Sequence, residues 1–260
     1  MTRRLPTHEL LGMPLARVDE DGMLDHMFGE LAAGRGGWLI TANLDFLRRF
    51  AKEPQMRELY RQADVMVADG MPLVWASRLQ GDPLPERVAG SALIYRFADR
   101  AAAAGLRIYL LGGEPGAGQG AADALQARAP GLQICGCSAP HISDPPTPEE
   151  LASVRAELER ARPDLLLVAL GSPKQERLIA ALRPHFPHVW MVGVGIALSY
   201  VAGQVSRAPA FMRTAGLEWV HRLAQEPRRL ARRYLVDDLP FAFELFARAL
   251  VVRVQRKPGR

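Results

Sequence analysis

The chain has 260 residues, of which 48% are apolar and 23% are charged, and its formal net charge is +5. Such a composition is that of an ordinary globular protein and excludes a disordered chain, a collagen and a coiled coil. No apolar run approaches the roughly 18 residues of a membrane-spanning helix, and the first residues lack the apolar stretch of a secretory signal. We therefore expect a cytoplasmic protein in which Cys135 and Cys137 are buried and reduced.

Six short apolar segments, separated by helical patterns, are predicted to be buried strands. In chain order they cover residues 37–41, 63–68, 107–111, 132–137, 164–170 and 188–194. Continuously apolar strands that alternate with helices indicate a parallel sheet covered on both faces. The predicted fold class is therefore α/β, a doubly wound, Rossmann-like and mostly parallel sheet that forms a body over residues 1–204.

Residues 205–260 are predicted to form a basic helical appendage. They hold 12 lysines and arginines against five acidic residues, whereas the first 204 residues are nearly neutral. Apolar residues recur at helical spacing over 217–233 among clustered arginines, and a second helix, rich in phenylalanine, follows over 239–254. This combination is more typical of a membrane-surface anchor than of a nucleic-acid reader. A helix packed on the body with solvated arginines is an equal alternative, and the apolar face could also pair subunits.

Glycines and short polar groups follow nearly every predicted strand. Thr41 and Asn43 come after the first strand and Asp69 after the second, while glycines stand at or near the ends of the others, at Gly112, Gly113, Gly136, Gly171 and Gly195. The carboxyl ends of parallel strands meet at one edge of a sheet, where a ligand can approach the backbone and the helix N-termini. Lys174, Gln175 and Glu176 begin a helix at the same edge. The pattern predicts a nucleotide-binding crevice.

Several common sites are excluded. The glycine-rich run after the third strand is not a dinucleotide fingerprint, because the next strand ends without an acidic residue, and no P-loop or G-x-S-x-G sequence occurs. The acidic triplet Asp19-Glu20-Asp21 resembles the D-x-D of metal-dependent sugar transferases but follows no strand. We therefore predict no metal site.

Asp69 has two interpretations from its position alone. A carboxylate just past an apolar strand and facing a crevice can act as a general base on a hydroxyl group. An aspartate before Gly70, Met71 and Pro72 can equally cap the following helix. Spacing leaves both open.

Eight segments together resemble the WecG/TagA/CpsF family of bacterial glycosyltransferases (glycosyltransferase family 26). They run in order and are most specific in PKQE and in the last segment. The segments are TANLDFL (41–47), ADVMVADGMPLV (63–74), RVAG (87–90), LLGGEPG (110–116), LLLVALGSPKQE (165–176), GVG (193–195), AGQVSRAP (202–209) and GLEWVHRLAQEPRRLARRY (216–234).

The resemblance implies an inverting hexosyltransferase that uses a UDP-sugar and forms a β-linkage. Its acceptor would be a sugar on undecaprenyl diphosphate at the inner face of the cell membrane, where the enzyme would be peripheral. The polymer would be an exopolysaccharide, another surface polysaccharide or a teichoic-acid-type polymer. UDP-glucose and UDP-N-acetylmannosamine, or its uronic acid, are the candidate donors, and no cofactor or metal is expected.

The resemblance also assigns residues. The base falls on Asp69, and the pocket residues fall on Thr41, Asn43, Arg87 and Gln175. Arginines of the appendage would close over the site, with candidates at Arg207, Arg213, Arg222, Arg229, Arg232 and Arg233. Because no D-x-D follows a strand, positive side chains such as Lys174 and Arg87 would stabilise the leaving diphosphate.

Two departures from the family pattern each remove a carboxylate. Ala92 stands where an acid often follows RVxG, and Leu198-Ser199 stands where FD is common. Because of these two departures, the sequence does not identify the donor sugar. They also leave an alternative of another class, a nucleotide-binding or lipid-binding module without catalysis. A nucleic-acid partner is not expected, because the aromatic residues of the tail look buried or lipid-facing.

Overall fold

The computed structural model describes residues 5–209, 211–212 and 216–256, apart from the side chains of residues 229 and 256. Its centre is a six-stranded sheet in which all neighbouring strands are parallel. The strands are β3 (Gly37–Ala42), β4 (Val65–Ala68), β5 (Arg107–Gly112), β6 (Gln133–Ser138), β7 (Leu165–Ala169) and β8 (Trp190–Gly193). All six predicted strands are present, within two residues of their predicted ends.

The strand order in the sheet is β4-β3-β8-β7-β5-β6. After β4 at one edge the chain crosses to β5 near the other edge, and β8 closes the sheet between β3 and β7. This change of direction is what makes the sheet doubly wound, and it opens a crevice at the carboxyl ends of the central strands. The α/β prediction is confirmed.

Helices cover both faces of this sheet, as continuously apolar strands require. Successive side chains of β3 enter opposite cores, with Trp38 and Ile40 on one side and Leu39 on the other. The helices of the body are α1 (Glu20–Ala32), α2 (Leu44–Lys52), α3 (Pro54–Tyr60), α4 (Met71–Leu79), α5 (Gly90–Ala104), α6 (Ala117–Arg128), α7 (Pro148–Ala161), α8 (Lys174–Leu182) and α9 (Ala197–Val201), with a 3₁₀ turn at Arg183–His185.

An antiparallel hairpin, β1 (Thr7–Leu10) and β2 (Met13–Ala16), precedes the sheet. No local pattern in the sequence predicts this hairpin. Its inward side chains Leu10, Met13 and Leu15 are completely buried in the core that also holds α4. The hairpin therefore depends on tertiary packing, which a local pattern does not reveal.

The C-terminal segment is helical, but its first predicted helix is divided. Helix α10 (Glu218–Gln225) ends before Pro227, which has no amide hydrogen to donate and begins α11 (Pro227–Ala231). A π-helical stretch, Arg232–Asp238, leads into α12 (Leu239–Arg256). In the described residues no helix is long and apolar enough to cross a membrane.

Helix α12 packs against the body. Phe241, Leu245 and Ala249 follow one another at a spacing of four residues and are buried in the core that contains Trp38. Lys52 of α2 donates a hydrogen bond at 2.8 Å to Glu244 on the same helix. The division of the chain at residue 204 stays a prediction.

A substitution at Gly36 tests how closely the chain approaches itself at the starts of β3 and β8. A Cβ atom at this position would collide with the backbone carbonyl and amide of Val189. We expect Gly36→Ala to lower the free energy of unfolding by about 1–3 kcal/mol, since overpacking forces the backbone to move. The measurement is urea unfolding followed by circular dichroism.

Gly29 is the matched control, because it lies inside α1 and a Cβ atom there would meet no other atom within 4 Å. Gly29→Ala should raise stability by up to about 1 kcal/mol through helix propensity. An unchanged midpoint for Gly36→Ala would contradict the close approach of the two strands.

Candidate functional site

Thr41 and Asp69 meet at the carboxyl edge of the sheet, because β3 and β4 are neighbours and end together. The amide of Asp69 donates to the carbonyl of Ala42 at 2.7 Å, and the amide of Gly90 donates to the Asp69 carboxylate at 3.2 Å. A Cβ atom on Gly90 would lie 2.8 Å from the Thr41 hydroxyl oxygen. The start of α5 thus closes over the ends of both strands.

Asp69 does not cap the helix that follows it. The N-cap of α4 is Gly70, and no side chain caps that helix. The capping interpretation is therefore wrong, and the carboxylate is directed instead toward the Gly90 amide. A single backbone donor leaves the carboxylate able to accept a further proton or hydrogen bond.

Asp69 is half-buried at the carboxyl edge of the sheet. This burial raises the pKa of its carboxyl to about 6, against the lowering effects of Arg87, the Gly90 amide and Arg207, while Glu218 adds to the rise. A carboxylate that is ionised at neutral pH and has an elevated pKa suits a general base.

Arg87 is held beside Asp69 by the backbone that follows it. The amide of Val88 donates to the carbonyl of Ala68 at 2.9 Å, which aligns residues 87–90 with the end of β4. The Arg87 guanidinium donates to Glu218, at the start of α10, at 3.2 Å. The Arg87 cation of the body and the Glu218 carboxylate of the appendage therefore both act on Asp69.

Two of the candidate arginines reach the crevice. Arg207 donates to the hydroxyl of Ser91 at 2.8 Å, in the first turn of α5. Arg233 lies with its guanidinium 3.5 Å from the side-chain oxygen of Asn43, which also caps α2 by accepting from the amide of Phe46. These two arginines approach the crevice from different parts of the C-terminal segment.

The other candidate arginines are less directly placed. Arg222 lies near Tyr200, where its charge opposes the rise that burial causes in the tyrosine pKa. Arg232 is exposed. Arg213 and the side chain of Arg229 lie outside the described residues.

A buried ionic cluster fixes Arg233. Asp45, with 1% of its side chain exposed, accepts a hydrogen bond from Arg48 at 2.7 Å and lies 3.4 Å from the Arg233 guanidinium. Burial alone would raise the pKa of Asp45, but Arg233, Arg49 and Arg48 outweigh it and the pKa is lowered. Asp238 lies 3.6 Å from both Arg48 and Arg233, and burial beside Asp45 raises its pKa to about 6.

The glycine turn at the end of β5 forms another part of the carboxyl edge of the sheet. Gly112 has a φ of +92°, and a Cβ atom there would lie 2.7 Å from the carbonyl oxygen of Ala169. The amide of Gly113 donates to the same carbonyl at 2.7 Å. Gly171 and Gly195 follow β7 and β8 at this edge of the sheet.

Gly136 is placed differently. Strand β6 continues two residues beyond it to Ser138. A Cβ atom on Gly136 would lie 2.5 Å from the ring of Tyr109 on the neighbouring strand. Packing therefore explains this glycine, and its part in nucleotide binding stays a prediction.

Gln175 joins the start of α8 to the turn that follows β8. Its side-chain oxygen accepts from the amide of Gly195 at 3.1 Å, and its amide nitrogen donates to Glu176 at 2.7 Å. Burial raises the pKa of the Glu176 carboxyl. Lys174 instead donates to the carbonyl of Ile142 at 3.0 Å, so its ammonium group is turned to the loop before α7.

The acidic triplet and the two cysteines have contacts of their own. Asp19 caps α1 by accepting from the amide of Gly22 at 2.7 Å, and Asp21 pairs with Arg96. Both cysteines are free and only half-buried on β6, so the expectation of full burial is wrong. Among the described residues no group of three histidine, cysteine or acidic side chains is placed to hold a metal ion.

Two charged residues of the site are absent from the sequence prediction. Asp45 and Glu218 both lie within the quoted segments TANLDFL and GLEW, which was the available signal. Each has a partner that is remote in the chain, since Glu218 pairs with Arg87 over 131 positions and Asp45 pairs with Arg233 as well as with Arg48 and Arg49 of its own helix. Local spacing therefore does not identify their roles.

A model of the family described as "Glycosyl transferase WecG/TagA/CpsF family" matches residues 8–255, a range that includes every segment supplying the crevice. A similar protein is the N-acetylglucosaminyldiphosphoundecaprenol N-acetyl-beta-D-mannosaminyltransferase of Bacillus spizizenii strain W23. The two proteins are 30% identical over 202 residues, which cover 78% of this chain and 76% of the relative.

The elevated pKa of Asp69 predicts that ionisation of its carboxyl group lowers the stability of the folded protein. Because the native state binds the Asp69 proton more tightly than the unfolded chain does, stability falls as pH rises through the interval from about 4 to about 6. We expect Asp69→Asn, which stays neutral, to raise the free energy of unfolding by about 1–2 kcal/mol at pH 8. The measurement is urea unfolding of both proteins at pH 8 and at pH 4.

At pH 4 the advantage of the variant should shrink, since Asp69 is then largely protonated in the native protein. Asp99→Asn is the control, because Asp99 is an exposed surface carboxylate paired with Arg128. An Asp69→Asn protein that is less stable at both pH values would contradict the assignment.

Proposed function

Because this chain belongs to the WecG/TagA/CpsF glycosyltransferase family, we propose that it transfers N-acetylmannosamine from UDP-N-acetylmannosamine to a lipid-linked sugar. The acceptor we propose is N-acetylglucosamine on undecaprenyl diphosphate. The name of the Bacillus relative supports both substrates. The observation that supports catalysis is Asp69, a carboxylate of elevated pKa at the sheet edge with two arginines beside it.

In the proposed reaction Asp69 accepts the proton of an acceptor hydroxyl group. The hydroxyl oxygen forms a bond to the anomeric carbon as the bond from that carbon to the diphosphate breaks. Attack from the side opposite UDP inverts the anomeric centre and gives a β-linkage. The electron pair of the broken bond leaves on UDP, whose negative charge requires cations or hydrogen-bond donors.

Arg87, Arg207 and Arg233 are the cations that we assign to the diphosphate. Each is already held by a partner at the crevice, at Glu218, Ser91 and Asn43 respectively. Positioned charges need no reorganisation when the leaving group departs. We therefore propose that no divalent metal is required and that UDP lies along the turns at Gly112, Gly113, Gly171 and Gly195.

The activity test is UDP release with a synthetic polyprenyl-diphosphate N-acetylglucosamine and a panel of UDP-sugars. We expect turnover with UDP-N-acetylmannosamine, in Mg²⁺ and in EDTA alike, and a loss of at least about 100-fold in kcat with Asp69→Ala. Turnover of UDP-glucose instead would replace the proposed donor. Activity that vanishes in EDTA would overturn the metal-independent mechanism.

Asp45→Asn is unsuitable as a control, because Asp45 holds Arg233. Asp99→Asn lies on the surface and should retain full activity. UDP binding that Asp69→Ala leaves unchanged, with no turnover of any donor by the wild-type protein, would favour a non-catalytic binding module.

We also propose that the C-terminal segment binds the membrane surface that carries the acceptor. On α12 the exposed residues Leu239, Phe243, Leu250 and Val254 lie on the side opposite the buried Phe241 and Leu245. Phe243 and Val254 are 69% and 72% exposed, on a segment with an excess of basic residues. Apolar side chains beside positive charge favour anionic bilayers.

Vesicle co-sedimentation tests this surface. We expect the wild-type protein to bind vesicles of phosphatidylglycerol and phosphatidylethanolamine, and the double variant Phe243→Ser, Val254→Ser to bind at least about 10-fold more weakly. Because both residues are exposed, the variant should unfold at the wild-type urea concentration. Equal binding of the two proteins would refute the role of α12.

A further inference from the structure

Glu218 joins the appendage to the catalytic edge of the body. It is the first residue of α10, its side chain is 19% exposed, and its carboxylate lies 3.2 Å from the Arg87 guanidinium. The pair spans 131 positions of the chain. A largely desolvated ion pair of this kind is sensitive to the loss of either partner.

Arg87 therefore stands between two carboxylates. Asp69 and Glu218 both interact with its charge, and the backbone contact of Val88 with Ala68 fixes the arginine beside Asp69. The Glu218 carboxylate engages donors of the Arg87 guanidinium and places a negative charge beside it, which offsets the effect of the Arg87 charge on Asp69. Glu218 thus competes with the aspartate for the same cation.

The other charged groups around these residues are few. Arg207, from the segment after α9, also acts on Asp69, and Tyr200 of α9 lies within reach of both Glu218 and Arg207. Glu20, at the start of α1, feels the charge of Arg87. Arg222, on the same helix as Glu218, also acts on Tyr200. Of Glu20 and Glu218, which both interact with Arg87, only Glu218 comes from the appendage.

We propose that Glu218 is a positioning residue which holds part of the Arg87 charge away from Asp69, so that the base stays strong while the appendage is docked. This inference rests on the proposed transferase function and deepens it. Arg87 remains near enough to meet the diphosphate, while Asp69 is not neutralised as an ion-pair partner.

The electrostatics of Asp69 agree with this arrangement. Arg87 lowers the pKa of the Asp69 carboxyl and Glu218 raises it, so the two charges offset each other. Without the Glu218 charge, the effect of Arg87 on Asp69 would be less opposed and would favour the ionised form. The aspartate would then stay ionised to lower pH but would be a weaker base.

The test compares pH profiles of kcat/KM, which report the groups of the free enzyme. We expect the acid limb of Glu218→Gln to move to lower pH by about half a unit to one unit, and the plateau to fall about 3- to 10-fold. Glu218→Asp, which keeps the charge, should restore most of the wild-type limb. Glu244→Gln is the matched control, since Glu244 pairs the appendage with Lys52 away from Asp69.

A second measurement does not depend on turnover. In protein labelled with ¹³C at aspartate carboxyl groups, the Asp69 resonance, assigned with Asp69→Asn, should titrate at lower pH in Glu218→Gln than in the wild type. If no donor turns over, the transferase proposal fails while this titration still decides the role of Glu218.

Two results would overturn the inference. One is a Glu218→Gln profile lowered equally at every pH with an unmoved acid limb, which is the signature of a merely structural contact. The other is an Asp69 resonance that titrates at the same pH in both proteins.

Discussion

A buried carboxylate must be paired, and at Asp45 this requirement joins helix α2 of the body to the C-terminal segment. The residue lies in the first turn of α2, just beyond the end of β3 at Ala42 and the helix cap at Asn43. Two of its cations, Arg48 and Arg49, come from its own helix, and the third, Arg233, comes from the C-terminal segment. Arg233 therefore both pairs with Asp45 and contacts the side chain of Asn43.

Asp69 and Asp45 show how environment separates two aspartates at one edge of a sheet. Three guanidinium groups overcome the burial of Asp45 and lower its pKa, whereas burial prevails at Asp69 and raises its pKa to about 6. The first is a permanent anion suited to structure, and the second is a base suited to proton transfer. Asp45 is in direct ion pairs with three arginines, whereas at Asp69 the effects of Arg87 and Arg207 are opposed by burial and by Glu218.

The sequence predicts the sheet well because its strands are continuously apolar and end in recognisable residues. It also predicts that Thr41 and Asp69 converge, since neighbouring parallel strands end at one edge. The hairpin of residues 7–16 escapes prediction because each strand has four residues and is stabilised by distant packing. The pairs of Asp45 with Arg233 and of Glu218 with Arg87 escape for a related reason, because no local pattern specifies an ion pair across more than a hundred residues.

The contact between Asn43 and Arg233 also has a consequence for folding. It joins residues 190 positions apart, whereas no strand pairing of the sheet involves a residue beyond Gly193. The parallel sheet can form its glycine turns and place Asp69 before the C-terminal segment docks. A molecule at that stage would have the base in place but lack the guanidinium groups of Arg207 and Arg233. The docking of the C-terminal segment would then add the last charged groups around Asp69 to a body that is already folded.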